Sequence, residues 1–285
     1  MRTTRHFLYC TLFLALPHFC VAQADSSSAL PDTLPAAAGN DTIPAASDSV
    51  IRYRINGAYL KSIVTDLGYT ATRPLHWQAK DYKRLGIVVG TAGLLMAGDY
   101  EIKQFFQRNQ TKTLSSGVRQ IEPFGNAYSP YLIVGMYLAG VVTKKRDLEH
   151  ASLMTAKSLV ISTLLYTATK VVIRRQRPSF GDNPFNYHPP FSGDKQHTSF
   201  PSGHMLTVTT VATALSEIYG EKHPWVPWVA YGIAGLTGVS RLYDNRHWSS
   251  DVWIGASLGY FVTKTVFKRQ RLRSKRGTYN PLAAP

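Results

Sequence analysis

Cysteine is almost absent from this chain of 285 residues, and its two cysteines, Cys10 and Cys20, both fall near the start. They lie in a segment with the layout of a secretory signal, in which basic residues precede an apolar stretch from Phe7 to Leu16 and small residues follow. We expect residues 1–24 to be a signal peptide, with an uncleaved membrane anchor as the alternative. A chain without this segment has no thiol, which excludes disulfides and thiolate catalysis.

Acidic residues are also scarce: 17 Asp and Glu stand against 32 Lys and Arg, for a formal net charge of +15. This imbalance favours anionic partners. An exported chain rarely meets nucleic acid, so we expect no nucleic-acid partner. Phosphate esters and an anionic membrane surface fit both the charge and the compartment.

Long uninterrupted apolar runs are missing as well. In their place the sequence has six shorter apolar segments: Leu85–Gly98, Tyr131–Thr143, Ala151–Lys170, Met205–Tyr219, Trp225–Ser240 and Val252–Phe267. Their length and their Ala, Leu and Met content favour helices over strands. The fold class predicted is therefore all-α, a bundle of about six core helices.

Whether these helices cross a membrane stays open at this point, because a span needs about 20 mainly apolar residues and shorter runs are more often core helices. Basic residues cluster at positions 144–146 and 264–276, as expected of cytoplasmic loops between six spans. That topology places the loop after the third segment outside. It also places the N-terminal side inside, which conflicts with a cleaved export signal. Three interpretations stay open: the signal prediction is wrong, one segment fails to span, or the bundle is soluble and exported whole.

The rest of the chain divides by composition. Residues 25–50 are rich in Ser, Asp, Ala, Pro and Thr, which is typical of a disordered linker. Residues 51–82 form an N-terminal preface with an amphipathic helix expected around Ala58–Leu67. The main domain is predicted to span residues 83–267, and residues 268–285 form a basic C-terminal tail.

Three clusters of side chains could form a reactive site. The first runs from Lys170 to Arg177 and is followed by Pro178. Seven residues are close to two helical turns, so Lys170 and Arg177 are predicted to share a helix face, with Arg174 between them. Proline disfavours helix at the residue before it, which puts Arg177 near the helix end. A solvated basic helix end is the alternative interpretation.

The second cluster is Pro201-Ser202-Gly203-His204, at the start of an apolar run. Ser202 is a natural N-cap, and the backbone N–H groups at the start of the following helix can bind an anion beside His204. An ordinary capped helix would explain the same four residues.

The third cluster runs from Ser240 and Arg241 to His247 and Asp251. A spacing of four residues predicts that His247 and Asp251 lie one turn apart, so that the carboxylate accepts a hydrogen bond from one ring nitrogen and the other nitrogen is free. Such an arrangement makes histidine a directed nucleophile. A structural His–Asp pair is the alternative.

Taken together, the clusters match the signature Lys-x6-Arg-Pro, Pro-Ser-Gly-His and Ser-Arg-x5-His-x3-Asp in order and spacing. The chain thus resembles the type 2 phosphatidic acid phosphatase superfamily, which also includes bacterial class A acid phosphatases and vanadium haloperoxidases. The resemblance covers about residues 83–267. It implies an all-helical, metal-independent phosphatase without a cofactor.

By motif match, the resemblance assigns a role to each signature residue. His247 would attack phosphorus, Asp251 would orient it, and His204 would protonate the leaving oxygen and later activate water. The phosphate oxygens would be held by Lys170, Arg177, Ser202, Gly203 and Arg241. Positive donors and a general acid are what phosphoryl transfer requires.

Residues outside the signature carry weaker signals. His188 and His197 are expected to be unliganded loop histidines rather than a metal pair. Arg174 and Arg246 are either auxiliary phosphate contacts or solvated cations. Selectivity is expected to lie in loops at residues 99–130 and 179–198.

The expected substrate is a lipid-linked phosphate such as phosphatidate, an isoprenyl pyrophosphate or a lipid A phosphate. We expect the protein to lie in the bacterial cell envelope, associated with the membrane or integral to it, with its active site facing the periplasm. A soluble periplasmic acid phosphatase of broad specificity is the nearest alternative. A vanadate-dependent haloperoxidase and a non-enzymatic lipid-binding protein are the remaining ones.

Overall fold

The computed structural model describes residues 53–275, and this part of the chain is mainly α-helical. The helices are α1 (Gly57–Thr72), α2 (Ala79–Ala97), α3 (Asp99–Arg108), α4 (Lys112–Ile121), α5 (Tyr128–Val142), α6 (Arg146–Val172), α7 (Gly203–Tyr219), α8 (Trp225–Tyr243) and α9 (Ser249–Lys275). The prediction of an all-α fold is confirmed. The predicted signal and linker, residues 1–50, and the last part of the tail, residues 276–285, lie outside the described residues.

Helix α7 lies at the centre of the bundle, with α6, α8 and α9 packed around it. Two glycines let α9 approach α7 closely. A Cβ atom on Gly255 would lie 2.4 Å from the carbonyl oxygen of Ser202, and one on Gly259 would lie 2.6 Å from that of Leu206. A side chain at either position would separate the two helices. Since His204 lies in the first turn of α7 and His247 directly precedes α9, this contact brings two signature clusters together.

Two helices, α3 and α4, occupy a region for which the sequence predicted a loop. The prediction was wrong because it depended on apolar segments, and both helices are short and mostly polar. Helix α4 has a local start signal, since the Thr111 side chain accepts a hydrogen bond from the Leu114 amide at 3.2 Å. A 3-10 turn at Glu122–Gly125 follows α4 and leads the chain to the site described below.

Helix α1 occupies the region in which an amphipathic helix was expected, and Asn56 caps it through the Tyr59 amide at 2.8 Å. Its inner face carries Asp66, which is fully buried and 2.8 Å from the equally buried Lys157 of α6. Arg273 of α9 contacts the other oxygen of the same carboxylate at 2.9 Å. This ion pair therefore joins the N-terminal helix to both α6 and α9.

Helix α6 ends at Val172, earlier than the sequence analysis assumed. Arg174–Arg175 instead forms a short strand, β1, which pairs antiparallel with β2 (Tyr187–His188). Lys170 and Arg177 thus do not share a helix face, and that prediction was wrong. Its physical cause is visible in the sequence: the β-branched residues before position 174 and the proline after Arg177 both favour extended backbone.

Within residues 53–275, no single helix combines the length and the apolar character needed to cross a lipid bilayer. Helices α2 and α3 meet that test only as a pair, and they are bent by 57° where they meet at Gly98. At the other end of the chain, α9 continues beyond Phe267 to Lys275, so the first residues of the predicted basic tail are helical.

Candidate active site

A cavity of about 580 Å³ lies at the end of the bundle where α6 and α8 finish and α7 and α9 begin. Six of the eight predicted site residues line it: Lys170, Arg177, Gly203, His204, Arg241 and His247. Five further residues also line it: Arg119, Glu122, Tyr166, Asp244 and Arg246. Of these five, only Arg246 was indicated by the sequence, as either an auxiliary phosphate contact or a solvated cation.

The two predicted site residues that do not line the cavity, Ser202 and Asp251, are fully buried directly behind it. Ser202 occupies the N-cap position of α7, but its hydroxyl makes no capping hydrogen bond. Its Oγ has no hydrogen-bond partner among the described residues. Because an unsatisfied buried hydroxyl is costly, this atom is a natural donor to an oxygen bound at the start of α7.

Lys170 reaches the cavity from the last turn of α6, where its ammonium group donates a hydrogen bond to the Tyr166 hydroxyl at 2.6 Å. Burial, helped by the nearby Arg177, lowers the pKa of Lys170 to about 8. Tyr166 also packs against Gly203, where a Cβ atom would lie 2.7 Å from the hydroxyl oxygen. Tyr166 precedes Lys170 by one helical turn, so its spacing could have identified it from the sequence.

The two arginines of the signature are held by different means. Arg177 sits in extended backbone, and its Nε donates to the Thr198 hydroxyl at 3.0 Å. Arg241 is on the last turn of α8, between two carboxylates: it lies 3.3 Å from Glu122 and 3.0 Å from Asp244. The orientation of each guanidinium is thereby fixed before any anion binds.

His247 lies in the loop before α9, and its ring is oriented by a backbone carbonyl. Its Nδ1 donates to the Ser199 carbonyl oxygen at 2.7 Å, which leaves Nε2 with a free lone pair. Burial lowers the pKa of His247 well below its ordinary value, and Arg177 and Lys170 act in the same direction. The imidazole is therefore neutral near pH 7, the form a nucleophile needs.

Asp251 does not accept the hydrogen bond from His247 that the spacing predicted. Helix α9 starts only at Ser249, so the two residues do not share a helical turn. The Asp251 carboxylate instead accepts hydrogen bonds from the Ser199 hydroxyl and from the Trp248 amide, the latter at 3.1 Å. Asp251 thus fixes the backbone on both sides of the ring and acts on His247 through these neighbours.

Arg175 continues this network away from the cavity. It is fully buried and bridges Asp251 at 2.7 Å and Asp99 of α3 at 2.8 Å. Asp99 in turn accepts a hydrogen bond from the Ser250 amide at 3.1 Å. Neither Arg175 nor Asp99 has a signature position, and the contact joins residues that are 76 apart in sequence, so no local pattern indicated it.

His204, on the first turn of α7, has its Nε2 2.7 Å from the Glu122 carboxylate. Burial and the Arg241 guanidinium lower the pKa of His204, while Glu122 opposes them. The two cavity histidines therefore differ in their partners: a neutral carbonyl holds His247, and a carboxylate holds His204.

The loop histidines lie apart from the cavity. His197 contacts Asp194 at 2.6 Å and its ring lies 4.9 Å from that of His188. Arg174 donates to the Asp194 carbonyl oxygen, so it supports this loop and does not reach the cavity. Among the described residues, no three His, Cys, Asp or Glu side chains are grouped as metal ligands.

Comparison with known proteins connects this site to a family. Residues 152–275 match the model of the PAP2 superfamily. The lipid A 1-phosphatase of Porphyromonas gingivalis is 40% identical over 77 residues, which are 25% of this chain and 17% of that protein. The undecaprenyl-diphosphatase of Sulfolobus acidocaldarius is 28% identical over 163 residues, 57% of this chain and 74% of that protein.

Among solved structures, the chain is similar to a transmembrane PAP2-type phosphatidylglycerolphosphate phosphatase from Bacillus subtilis. The TM-score is 0.49 and the identity 23%, over 75% of this chain and 96% of that one. The family-model match begins in α6 and includes all three signature clusters, whose residues meet at one cavity. Residues 152–275, which hold all three clusters, thus belong to the PAP2 superfamily.

Proposed function

We propose that this protein is a phosphatase that hydrolyses a lipid-linked phosphate monoester through a phosphohistidine intermediate. One observation carries the proposal: two histidines with different hydrogen-bond partners line a single cavity together with a set of cationic side chains. Such an arrangement supplies a nucleophile, an acid and electrostatic stabilisation of phosphate, which are the three requirements of the reaction.

Substrate binding depends on the cations. Lys170, Arg177 and Arg241 would hold the non-bridging phosphate oxygens, together with the Ser202 hydroxyl and the Gly203 amide. As charge spreads over those oxygens in the transition state, fixed donors stabilise it without reorganisation. The fixed orientation of both arginines supports this role.

In the chemical step, the Nε2 lone pair of His247 attacks phosphorus and forms an N–P bond while the bond to the leaving oxygen breaks. His204 gives its proton to that oxygen. In the second step His204 takes a proton from water, the water oxygen attacks phosphorus, and the N–P bond breaks to return the lone pair to His247. The low pKa of His247 supports attack by the neutral imidazole.

Three features support a lipid as the substrate. The two curated relatives described above are named for lipid A and undecaprenyl diphosphate. The net charge of +15 favours an anionic surface. Large apolar side chains are exposed on several helices, an arrangement typical of contact with lipid or with a partner: Leu94, Tyr131, Leu138, Val142, Trp225, Trp228 and Leu236. We propose that the protein is associated with the membrane of the cell envelope and that the cavity faces the periplasm.

The test is a phosphate-release assay on the detergent-solubilised protein with EDTA present. Phosphatidate, a lipid diphosphate and para-nitrophenyl phosphate are compared in parallel, and His247→Ala serves as the inactive variant. We expect turnover of a lipid substrate that His247→Ala abolishes, and an acid-labile phosphoprotein in rapidly quenched samples.

A strong preference for the soluble ester would favour a broad-specificity acid phosphatase and contradict the lipid assignment. Activity of His247→Ala equal to that of the unaltered protein would overturn the site itself. Extraction of the protein from cells is a second test. Its release by osmotic shock without detergent would contradict membrane association.

A further inference from the structure

Glu122 is a cavity residue that the mechanism above does not use. It lies in the 3-10 turn after α4, outside the residues that match the family model. Its carboxylate is 2.7 Å from Nε2 of His204 and 3.3 Å from the Arg241 guanidinium. One carboxylate therefore touches both the proposed proton donor and a proposed phosphate-binding cation.

The turn that carries Glu122 is closely fitted to His204. A Cβ atom on Gly125 would lie 2.7 Å from the Cβ of His204 and 3.0 Å from its ring carbon Cδ2. The Ser129 hydroxyl closes the turn by donating to the Phe124 carbonyl oxygen. Glu122 and Gly125 thus contact the histidine at two points, which fixes the position of its ring.

We propose that Glu122 is the positioning residue of His204: it accepts the Nε2–H hydrogen bond, so that Nδ1 exchanges the proton with the substrate. The proposal rests on the proposed function. When the bond between phosphorus and the leaving oxygen breaks, the Nδ1 proton moves to that oxygen and the ring becomes neutral. Nδ1 then accepts the proton of the attacking water, while the Nε2–H bond to Glu122 stays in place throughout.

A carboxylate partner has two physical effects on an imidazole. It selects the tautomer by accepting from one nitrogen, and it stabilises the protonated ring. The second effect matters here because His204 has many cationic neighbours. The charged and titratable groups that face it or line the same cavity are Arg119, Glu122, Tyr166, Lys170, Arg177, Arg241, Asp244, Arg246 and His247. Removal of the Glu122 charge should therefore lower the pKa of His204 further.

The same contacts permit a rival role. A carboxylate on His204 and Arg241 occupies positions that a phosphate oxygen could use, so Glu122 would act as a competing anion. The two roles predict opposite kinetics. A competing anion weakens substrate binding, and its removal lowers KM while kcat stays constant. A positioning residue acts on proton transfer, and its removal lowers kcat.

The experiment compares Glu122→Gln with the unaltered protein on two phosphate esters of different leaving-group acidity, para-nitrophenyl phosphate and an alkyl or lipid phosphate. A nitrophenolate departs without much protonation, whereas an alkoxide needs an acid. Because kcat/KM reports the first step, in which the leaving oxygen departs, we expect kcat/KM to fall about 10- to 100-fold on the alkyl ester and by less than about threefold on the nitrophenyl ester. The descending limb of the pH profile of kcat should move to lower pH.

Two further variants isolate the effect. Glu101→Gln changes an exposed glutamate of α3 in the same way and should leave both rates unchanged. Asp244→Asn removes the other carboxylate that contacts Arg241, at 3.0 Å. Among the described residues Asp244 forms no hydrogen bond with His204, so this variant should alter KM for both esters equally.

The outcomes separate this inference from the proposed function. An equal loss of kcat/KM on both esters, or a lower KM with constant kcat, would overturn the positioning role while the phosphatase remains. Unchanged rates and an unchanged pH profile for Glu122→Gln would do the same. Absence of phosphatase activity in the unaltered protein would instead overturn the proposed function.

Discussion

Asp99→Asn is a test of the buried network behind His247, because it removes one of the two negative charges on the Arg175 guanidinium while the side-chain size is conserved. The Arg175–Asp99 contact is 2.8 Å long, and both side chains are fully buried. Asp99 also accepts hydrogen bonds from Ser249 and Ser250. An asparagine oxygen can keep part of those, so the change isolates the charge.

The expected loss follows from burial. Breaking a buried ion pair by removing one partner costs about 3–5 kcal/mol, since the remaining charge is left without compensation. Arg175 keeps its second partner, Asp251, at 2.7 Å. We therefore expect the lower end of that range, about 3 kcal/mol in the free energy of unfolding.

A matched control exists on the surface. Lys103 and Asp182 form an ion pair of similar length, 2.6 Å, in which the Lys103 side chain is 10% exposed and the Asp182 side chain 68% exposed. Without Asp182, the Lys103 ammonium keeps the carbonyl oxygens of Pro178 and Gly181 as acceptors. Exposed pairs contribute about 0.2–1 kcal/mol, so Asp182→Asn should cost no more than that. Denaturant unfolding of the two variants and of the unaltered protein measures the difference. Equal losses for Asp99→Asn and Asp182→Asn would refute the argument from burial.

Three other predictions concern the cavity. Gly203→Ala should lower kcat/KM at least about tenfold, because the added Cβ would lie 2.7 Å from the Tyr166 hydroxyl oxygen. Adding Tyr166→Phe to this variant should restore part of the loss, and no recovery would contradict the steric explanation. Inhibition by inorganic phosphate should weaken above pH 8 as Lys170 loses its proton, and Lys170→Arg should remove this pH dependence. The same pH dependence in both proteins would mean that another group causes it. In the pH profile of kcat/KM, the midpoint of the acid limb should lie below pH 6.5, since the pKa of His247 is lowered. A midpoint above that value would contradict the lowered pKa.

Much of the site was predictable from the sequence because its motifs are local. Pro201 to His204 surrounds one helix start, and His247 precedes another. The relative positions of residues that are this close along the chain follow from local backbone geometry. The apolar segments located the long helices for a similar reason, since each forms its own hydrogen bonds. Both kinds of prediction need only residues that are close along the chain.

Residues that act across the fold were missed for the converse reason. Glu122 and His204 are 82 positions apart, and Asp99 and Arg175 are 76 apart. Their contacts exist only after α3 and α4 have packed, and those two helices were themselves not predicted. The assignment of Arg177 to a helix face failed differently, because an assumed periodicity extended past Val172, where the helix ends.

The acceptor on His247 has a consequence for its chemistry. A carboxylate on Nδ1 would fix the ring and also favour its protonated form, which cannot attack phosphorus. The Ser199 carbonyl fixes the ring without adding a negative charge. Asp251 has its own charge compensated by Arg175, and it holds Ser199 in place through the serine hydroxyl. The buried carboxylate can therefore order the proposed nucleophile while the imidazole stays neutral, whereas His204, the proposed proton donor, has the carboxylate partner.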